Sequence, residues 1–275
     1  MTEFTTTSRG DRVAFDRFGE GPGLVFVAGA GPDRASDPIT AETARRVAEE
    51  GITTVVFDRL GRGESRTDAG EDSGTGTGGG FDLDRELEAV RAAIDAAGGS
   101  AVLCGHSSGC SIALRAAVAG LPVTGLVLWE APLAQSSVFV REWIDEFERR
   151  LDAADLAGAQ EQYMRDMPPE WLAGAKASPV WDAIVAGAPT LRPDGQSLVW
   201  ASEALEATAL ASIRMPVLAA YGTSTLPEMP LAATRIVAAI PGATVEAVPG
   251  AHHSWEPEPM AAVLARFVRS TAAAA

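Results

Sequence analysis

What most limits the folds open to this chain is an alternation: short apolar runs, each followed by a stretch whose apolar residues return with a helical period. Such runs are strands buried on both faces, and the stretches between them are crossover helices, so the pattern predicts a mostly parallel, doubly wound α/β sheet. Residues 24–28, 53–57, 101–104, 123–129, 215–221 and 244–248 read as strands. Residues 4–9 and 12–18, joined by Gly10-Asp11, add an opening antiparallel hairpin. Helices are expected from Thr40, as a cap, to about Glu50, and from Asp82, as a cap, with Leu83, Leu87, Val90 and Ile94 on one face. Two more run from near Ser108 to Gly120 and from near Pro257, the latter turning Met260, Val263, Leu264, Phe267 and Val268 inward.

Residues 133–213 carry no strand pattern, only helical periodicity broken by Pro168, Pro169, Pro179, Pro189 and Pro193. The chain thus divides into a core of residues 1–132 and 214–275 and an inserted helical cap of residues 133–213, which 275 residues suffice to build. Residues 70–80 are small or polar almost throughout and are expected to be a mobile loop. Their glycines lack the Lys-Ser/Thr ending of a phosphate-cradling loop.

Composition removes several classes of function. A formal charge of −15 opposes binding to nucleic acid or to anionic membrane surfaces. No apolar run approaches the ~20 residues of a membrane-spanning helix. The opening Met1-Thr2-Glu3-Phe4-Thr5 has neither the basic start nor the apolar stretch of a secretion signal, so a cytoplasmic location is expected. The spacing of Cys104 and Cys110 suits neither a disulfide framework nor a zinc site, and both read as small buried hydrophobes. No metal or organic cofactor is implied, the expected partner is a small-molecule substrate, and a homodimer is compatible with the sequence.

The chemistry centres on Gly105-His106-Ser107-Ser108-Gly109, a G-x-S-x-G pentapeptide lying between a buried strand and a helix. That setting forces the serine onto a sharp turn, exposing Ser107 Oγ above the sheet, while the glycines keep side chains out of the crowded flanks. The backbone N–H of Ser108, at the helix start, can face a developing oxyanion. A second donor is expected from the N–H of Ala30, in the turn Ala28-Gly29-Ala30-Gly31 that ends a strand. The chain has three histidines, so few residues can be the base. His106 adjoins the serine and is expected to point away from it as a packing residue. His252 and His253, after the strand at 244–248, can reach it.

These residues resemble those of the α/β-hydrolase superfamily over nearly the whole chain. Ser107 matches the nucleophile elbow, Asp58 to Ser65 the structural D-x-x-G-x-G-x-S turn, and Gly250-Ala251-His252-His253 the G-x-G-H histidine loop. The resemblance implies an α/β-hydrolase fold with a cap after the sixth strand, gives His253 the catalytic place, leaves His252 beside the pocket, and makes Asp58 structural. Two departures stand out. Ala28-Gly29 replaces the common His-Gly at the oxyanion turn, removing a supporting side chain. Gly222-Thr223-Ser224-Thr225 holds no carboxylate where the triad acid usually follows its strand. Glu130, after the strand beside the nucleophile strand, occupies a place from which some branches supply the acid, zearalenone-type lactone hydrolases and certain haloalkane dehalogenases among them. Glu228 is its rival.

The expected function is therefore that of a serine hydrolase acting on a carboxylic ester, lactone or thioester through an acyl-enzyme intermediate. Carbon–carbon bond hydrolysis and perhydrolysis use the same groups. A binding or sensor protein with a decayed triad is the reading from another class, prompted by the missing acid after Gly222. Trp143, Trp171, Trp181 and Trp200 in the cap suit an apolar or aromatic substrate, with at least half of them expected to hold the cap helices together.

Overall fold

The computed structural model of the protein describes residues 1–68 and 80–273. Apart from Gly80, the loop expected at 70–80 lies outside the described residues. The strands are β1 (Glu3–Thr6), β2 (Arg12–Phe18), β3 (Gly23–Val27), β4 (Thr53–Phe57), β5 (Ala101–His106), β6 (Val123–Trp129), β7 (Val217–Ser224), β8 (Thr244–Ala251) and β9 (Ser254–Trp255). They form one sheet in the order β1-β2-β4-β3-β5-β6-β7-β8-β9. The block from β4 to β8 is parallel, and antiparallel strands flank it on both edges.

The helices are α1 (Pro38–Ala48), α2 (Leu83–Ala96), α3 (Gly109–Val118), α4 (Ser137–Asp152), α5 (Leu156–Tyr163), α6 (Pro169–Ala177), α7 (Trp181–Ala186), α8 (Arg192–Glu206), α9 (Glu228–Ala239) and α10 (Pro257–Ala272). Because side chains alternate along each strand, the buried strands feed two separate cores. Val25, Val27, Leu103, Leu126 and Leu128 meet α2, α3 and α9 on one face. Leu24, Phe26, Val102, Val127 and Leu218 meet α1 and α10 on the other. The expected mostly parallel, doubly wound sheet with a helical insert is the observed fold. Between β6 and β7 only helices and short 3-10 turns occur. Apolar residues of α4, α5 and α8 join the same cluster as the α2 and α3 face.

Local boundaries differ from expectation where backbone pairing or a better cap decides them. Helix α1 starts at Pro38 and is capped by Asp37, whose carboxylate accepts from the Thr40 N–H at 3.0 Å; Thr40 lies inside the helix rather than before it. Strands β5, β7 and β8 run past their apolar runs because ladder hydrogen bonds do not need apolar side chains, and Ser224 still pairs with Ala251. Helix α9 was not among the expected elements, although Met229, Ala232, Ala233 and Ile236 fall on its one buried face, two of them alanines with little apolar surface; β9, at two residues, is too short to show a period. Strand β9 folds back on β8, pairing Ala251 with Ser254. His252 and His253 are left as the two central residues of a tight hairpin, at φ of 53° and 67°, positive as a type I′ turn requires.

Candidate active site

The candidate residues lie just past the carboxyl ends of strands in the parallel block: Ala30 after β3, Ser107 after β5, Glu130 after β6 and, one strand further across β7, His253 after β8. That end of an open α/β sheet is where diverging connections leave a crevice for a ligand. Among the described non-glycine residues six have positive φ, and Ser107 (54°), Glu130 (47°), His252 and His253 are four of them. Each such residue costs about 1–3 kcal/mol and persists only where its surroundings hold it. The strain thus gathers around one small volume.

Ser107 is held on a sharp elbow. Its N–H donates to Trp129 O at 3.0 Å, and its carbonyl accepts from Cys110 N at 3.0 Å, which turns the chain from β5 into α3. The elbow glycines are required by close approach. A Cβ on Gly105 would stand 2.6 Å from Cys110 Cα, and one on Gly109 would stand 2.2 Å from Val27 O. Among the described residues neither the Ser108 N–H nor the Ala30 N–H donates to a protein acceptor. Gly29 lies against the serine, since a Cβ there would meet Ser107 Cβ at 2.8 Å.

His253 Nδ1 donates to Glu130 Oε2 at 2.6 Å. The other oxygen, Oε1, accepts from Gly222 N at 2.9 Å, so the carboxylate of β6 sits over the end of β7 where an acid is lacking. Glu130 is buried. Burial alone would raise its carboxyl, but the bonds from His253 and Gly222 and the adjacent Thr225 hydroxyl, which stands outside regular hydrogen-bond geometry, hold it below the ordinary value. Glu228 is exposed at the first position of α9. His252 is exposed as well. His106 Nε2 donates to the carbonyl of His253 at 2.9 Å, and Trp129 Nε1 donates to the same carbonyl at 3.4 Å. His106 is therefore more than packing: it holds the hairpin that carries His253.

Sequence reasoning missed a buried ionic cluster beneath the turn after β3. Arg59 and Arg62, from the D-R-L-G-R-G-E-S segment, and Asp194, from α8, are all buried. Arg59 Nη1 donates to Asp194 Oδ1 at 2.6 Å and Arg62 Nη2 to Asp194 Oδ2 at 2.8 Å, while Glu86 accepts from Arg59 Nε at 2.8 Å. Burial alone would raise the Asp194 carboxyl, and the two guanidiniums overrule it and keep the carboxyl below its ordinary value. Ser108 Oγ also donates to Asp194 Oδ1, at 2.6 Å. A signal existed: Asp194 stands one turn before Leu198 on the buried face of α8, and a carboxylate on an apolar face needs a buried cation. Asp58 keeps the structural place expected of it, accepting from the N–H groups of Arg34 and Glu64, each at 2.8 Å.

In the insert, Trp143 Nε1 donates to Gln162 O, and the Trp200 ring lies under the Arg115 guanidinium of α3, so both fasten helices. The Trp171 ring lies 6.1 Å from that of His253, the only cap tryptophan among the described aromatic pairs to reach it. Among the described residues no cluster of three histidine, cysteine or acidic groups is placed to hold a metal ion. No described helix is long and apolar enough to cross a membrane.

A family model described as "Alpha/beta hydrolase family" matches residues 24–266. No curated protein matches the chain in sequence. Among solved structures, an alpha/beta hydrolase from Sphaerobacter thermophilus DSM 20745 is 30% identical, with 96% of this chain and 99% of that chain covered and a TM-score of 0.77. The enol-lactonase from Burkholderia xenovorans LB400 is 17% identical, covering 98% and 100%, with a TM-score of 0.58. A thermophilic esterase from Thermogutta terrifontis is 18% identical, covering 98% and 99%, with a TM-score of 0.59. At those two identities the likeness is one of fold.

Proposed function

Since the chain belongs to the alpha/beta hydrolase family, we propose that it is a serine hydrolase whose Ser107, His253 and Glu130 cleave a carboxylic ester, thioester or lactone. The observation that carries this reading is the 2.6 Å bond from His253 Nδ1 to a buried carboxylate. With its Nδ1 proton committed to Glu130, the neutral imidazole presents Nε2 as an acceptor, the tautomer a general base needs.

The cycle runs in two halves. His253 Nε2 takes the Ser107 proton as Oγ bonds to the carbonyl carbon, and the oxyanion is met by the N–H groups of Ser108 and Ala30, which have no acceptor among the described residues. Collapse of that intermediate breaks the bond to the leaving oxygen or sulfur, which takes the proton from His253. Water then gives a proton to His253 while its oxygen attacks the acyl carbon, and release of the acid returns the proton to Ser107. Glu130 stays ionised throughout and stabilises the imidazolium. The Trp171 ring beside His253 favours a substrate with an apolar or aromatic group near the scissile bond.

A fluorophosphonate probe and a panel of short esters, thioesters and lactones test the reading. Wild type is expected to label once, at Ser107, and Ser107→Ala to lose both labelling and hydrolysis. Glu130→Gln is expected to lower kcat by about 10²- to 10⁴-fold, and Glu228→Gln to leave it unchanged. A folded wild type that resists the probe, or a Ser107→Ala variant that still hydrolyses the panel, sinks the proposal and returns the chain to the binding-protein reading.

A further inference from the structure

We propose that Arg59, Arg62 and Asp194 are positioning residues that together aim the N–H groups of Ala30 and Ser108 at the reacting carbonyl oxygen. This rests on the serine-hydrolase reading above and assigns that chemistry a support from the helical insert. One peptide plane, between Gly29 and Ala30, sets the direction of the first donor. Gly29 O accepts from Arg62 Nη1 at 2.6 Å and from Arg59 Nη1 at 3.3 Å, and Ala28 O accepts from Arg59 Nη1 at 3.3 Å. In a trans peptide the carbonyl of one residue and the N–H of the next point in opposite directions, and the described chain has no cis bond. Two guanidiniums that hold the Gly29 carbonyl therefore turn the Ala30 N–H to the other side of that plane.

The other donor is tied to the same cluster. Ser108 Oγ donates to Asp194 Oδ1 at 2.6 Å, so the residue offering the second N–H is anchored to the carboxylate that also binds both arginines. Arg62 Nη2 further donates to Thr190 O at 3.1 Å, joining the cluster to the segment before α8. Two cations, Arg59 and Arg62, meet two anions, Asp194 and Glu86, so the charges balance in a site closed to water. Where Ala28 leaves the oxyanion turn without a supporting side chain of its own, the guanidiniums support it from beneath.

A purely structural staple would change stability and substrate affinity; a positioning clamp changes the chemical step. The test compares kcat, KM and probe-labelling rate in wild type, Arg62→Lys and the charge-neutral double variant Arg62→Met with Asp194→Asn, each checked for folding by circular dichroism. The double variant leaves Arg59 facing Glu86, so no uncompensated charge is buried. Expected are a fall in kcat and labelling rate of about 10²-fold in the double variant and tenfold or more in Arg62→Lys, with KM within about threefold of wild type. Wild-type kcat in the folded double variant overturns the clamp. If the double variant does not fold, folded Arg62→Lys decides alone by the same criterion. A wild type inert to probe and esters is a different result, which removes the serine-hydrolase reading itself.

Discussion

His106 adjoins Ser107 in sequence, yet its ring serves a residue 147 positions away by holding the carbonyl of His253. Burial, and then the neighbouring His253, push it down from the ordinary 6.5 to about 4. Above pH 6.5 the ring is neutral in folded and unfolded chains alike. Between 6.5 and about 4 only the unfolded ring takes a proton, so stability falls as the pH falls through that window and levels off below it. The urea midpoint of wild type is expected to drop more steeply from pH 6.5 to 4 than that of His106→Gln, which keeps a donor but cannot titrate. Parallel curves would exclude this role. At this scale the sequence was informative wherever a residue type had few competitors. The elbow motif singled out Ser107, three histidines left His252 and His253 as candidate bases, the family resemblance chose His253, and a strand-end position suggested Glu130, whose carboxylate lies 2.6 Å from His253 Nδ1. The hydrogen bond of His106 was hidden because it depends on a hairpin closing far along the chain.

Elements carry the site through contacts that no local pattern displays. Helix α3 can start directly behind the turn after β3 only because Gly109 has no side chain, and Gly109→Ala would press a methyl to 2.2 Å from Val27 O. That substitution is expected to cost roughly 1–3 kcal/mol of stability, read by urea denaturation, and to lower kcat more than it raises KM, because helix and turn must part at the elbow. An unchanged kcat would mean that the spacing of α3 from this turn is immaterial to the chemistry. Strands β3 to β6 were legible from their apolar runs, since burial on both faces leaves a continuous signal. Strand β9 was not: two residues, Ser254 and Trp255, are paired by β8 rather than by any preference of their own. At the start of α1 Asp37 and Thr40 are both good caps, and Asp37 takes the place: its carboxylate reaches forward to the Thr40 N–H and also accepts from the Thr40 hydroxyl. The Arg59–Arg62–Asp194 cluster escaped because its members come from segments 135 and 132 residues apart, although the place of Asp194 on the buried face of α8 was a clue.

Across the whole molecule, the insert and the sheet share one apolar cluster. Phe147, Leu151, Tyr163 and Leu198 belong with Leu103, Ile112 and Leu126. Helix α8 lies against α3, and the buried cluster fastens both to the turn after β3. Urea is therefore expected to unfold insert and sheet in one transition, with tryptophan fluorescence and far-ultraviolet circular dichroism giving coincident curves. A separate early fluorescence step would show that the insert unfolds by itself. The route by which Glu130 reaches His253 has a consequence for variation. Since the carboxylate arrives from β6 and settles on the Gly222 N–H, the segment that follows β7 is relieved of carrying an acid. Exposed Thr223 and Ser224, the last residues of β7, can change side chain, and exposed Pro227 beyond the strand is open to replacement, lengthening or grafting, so this rim can be rewritten while the Glu130–His253 bond stays intact.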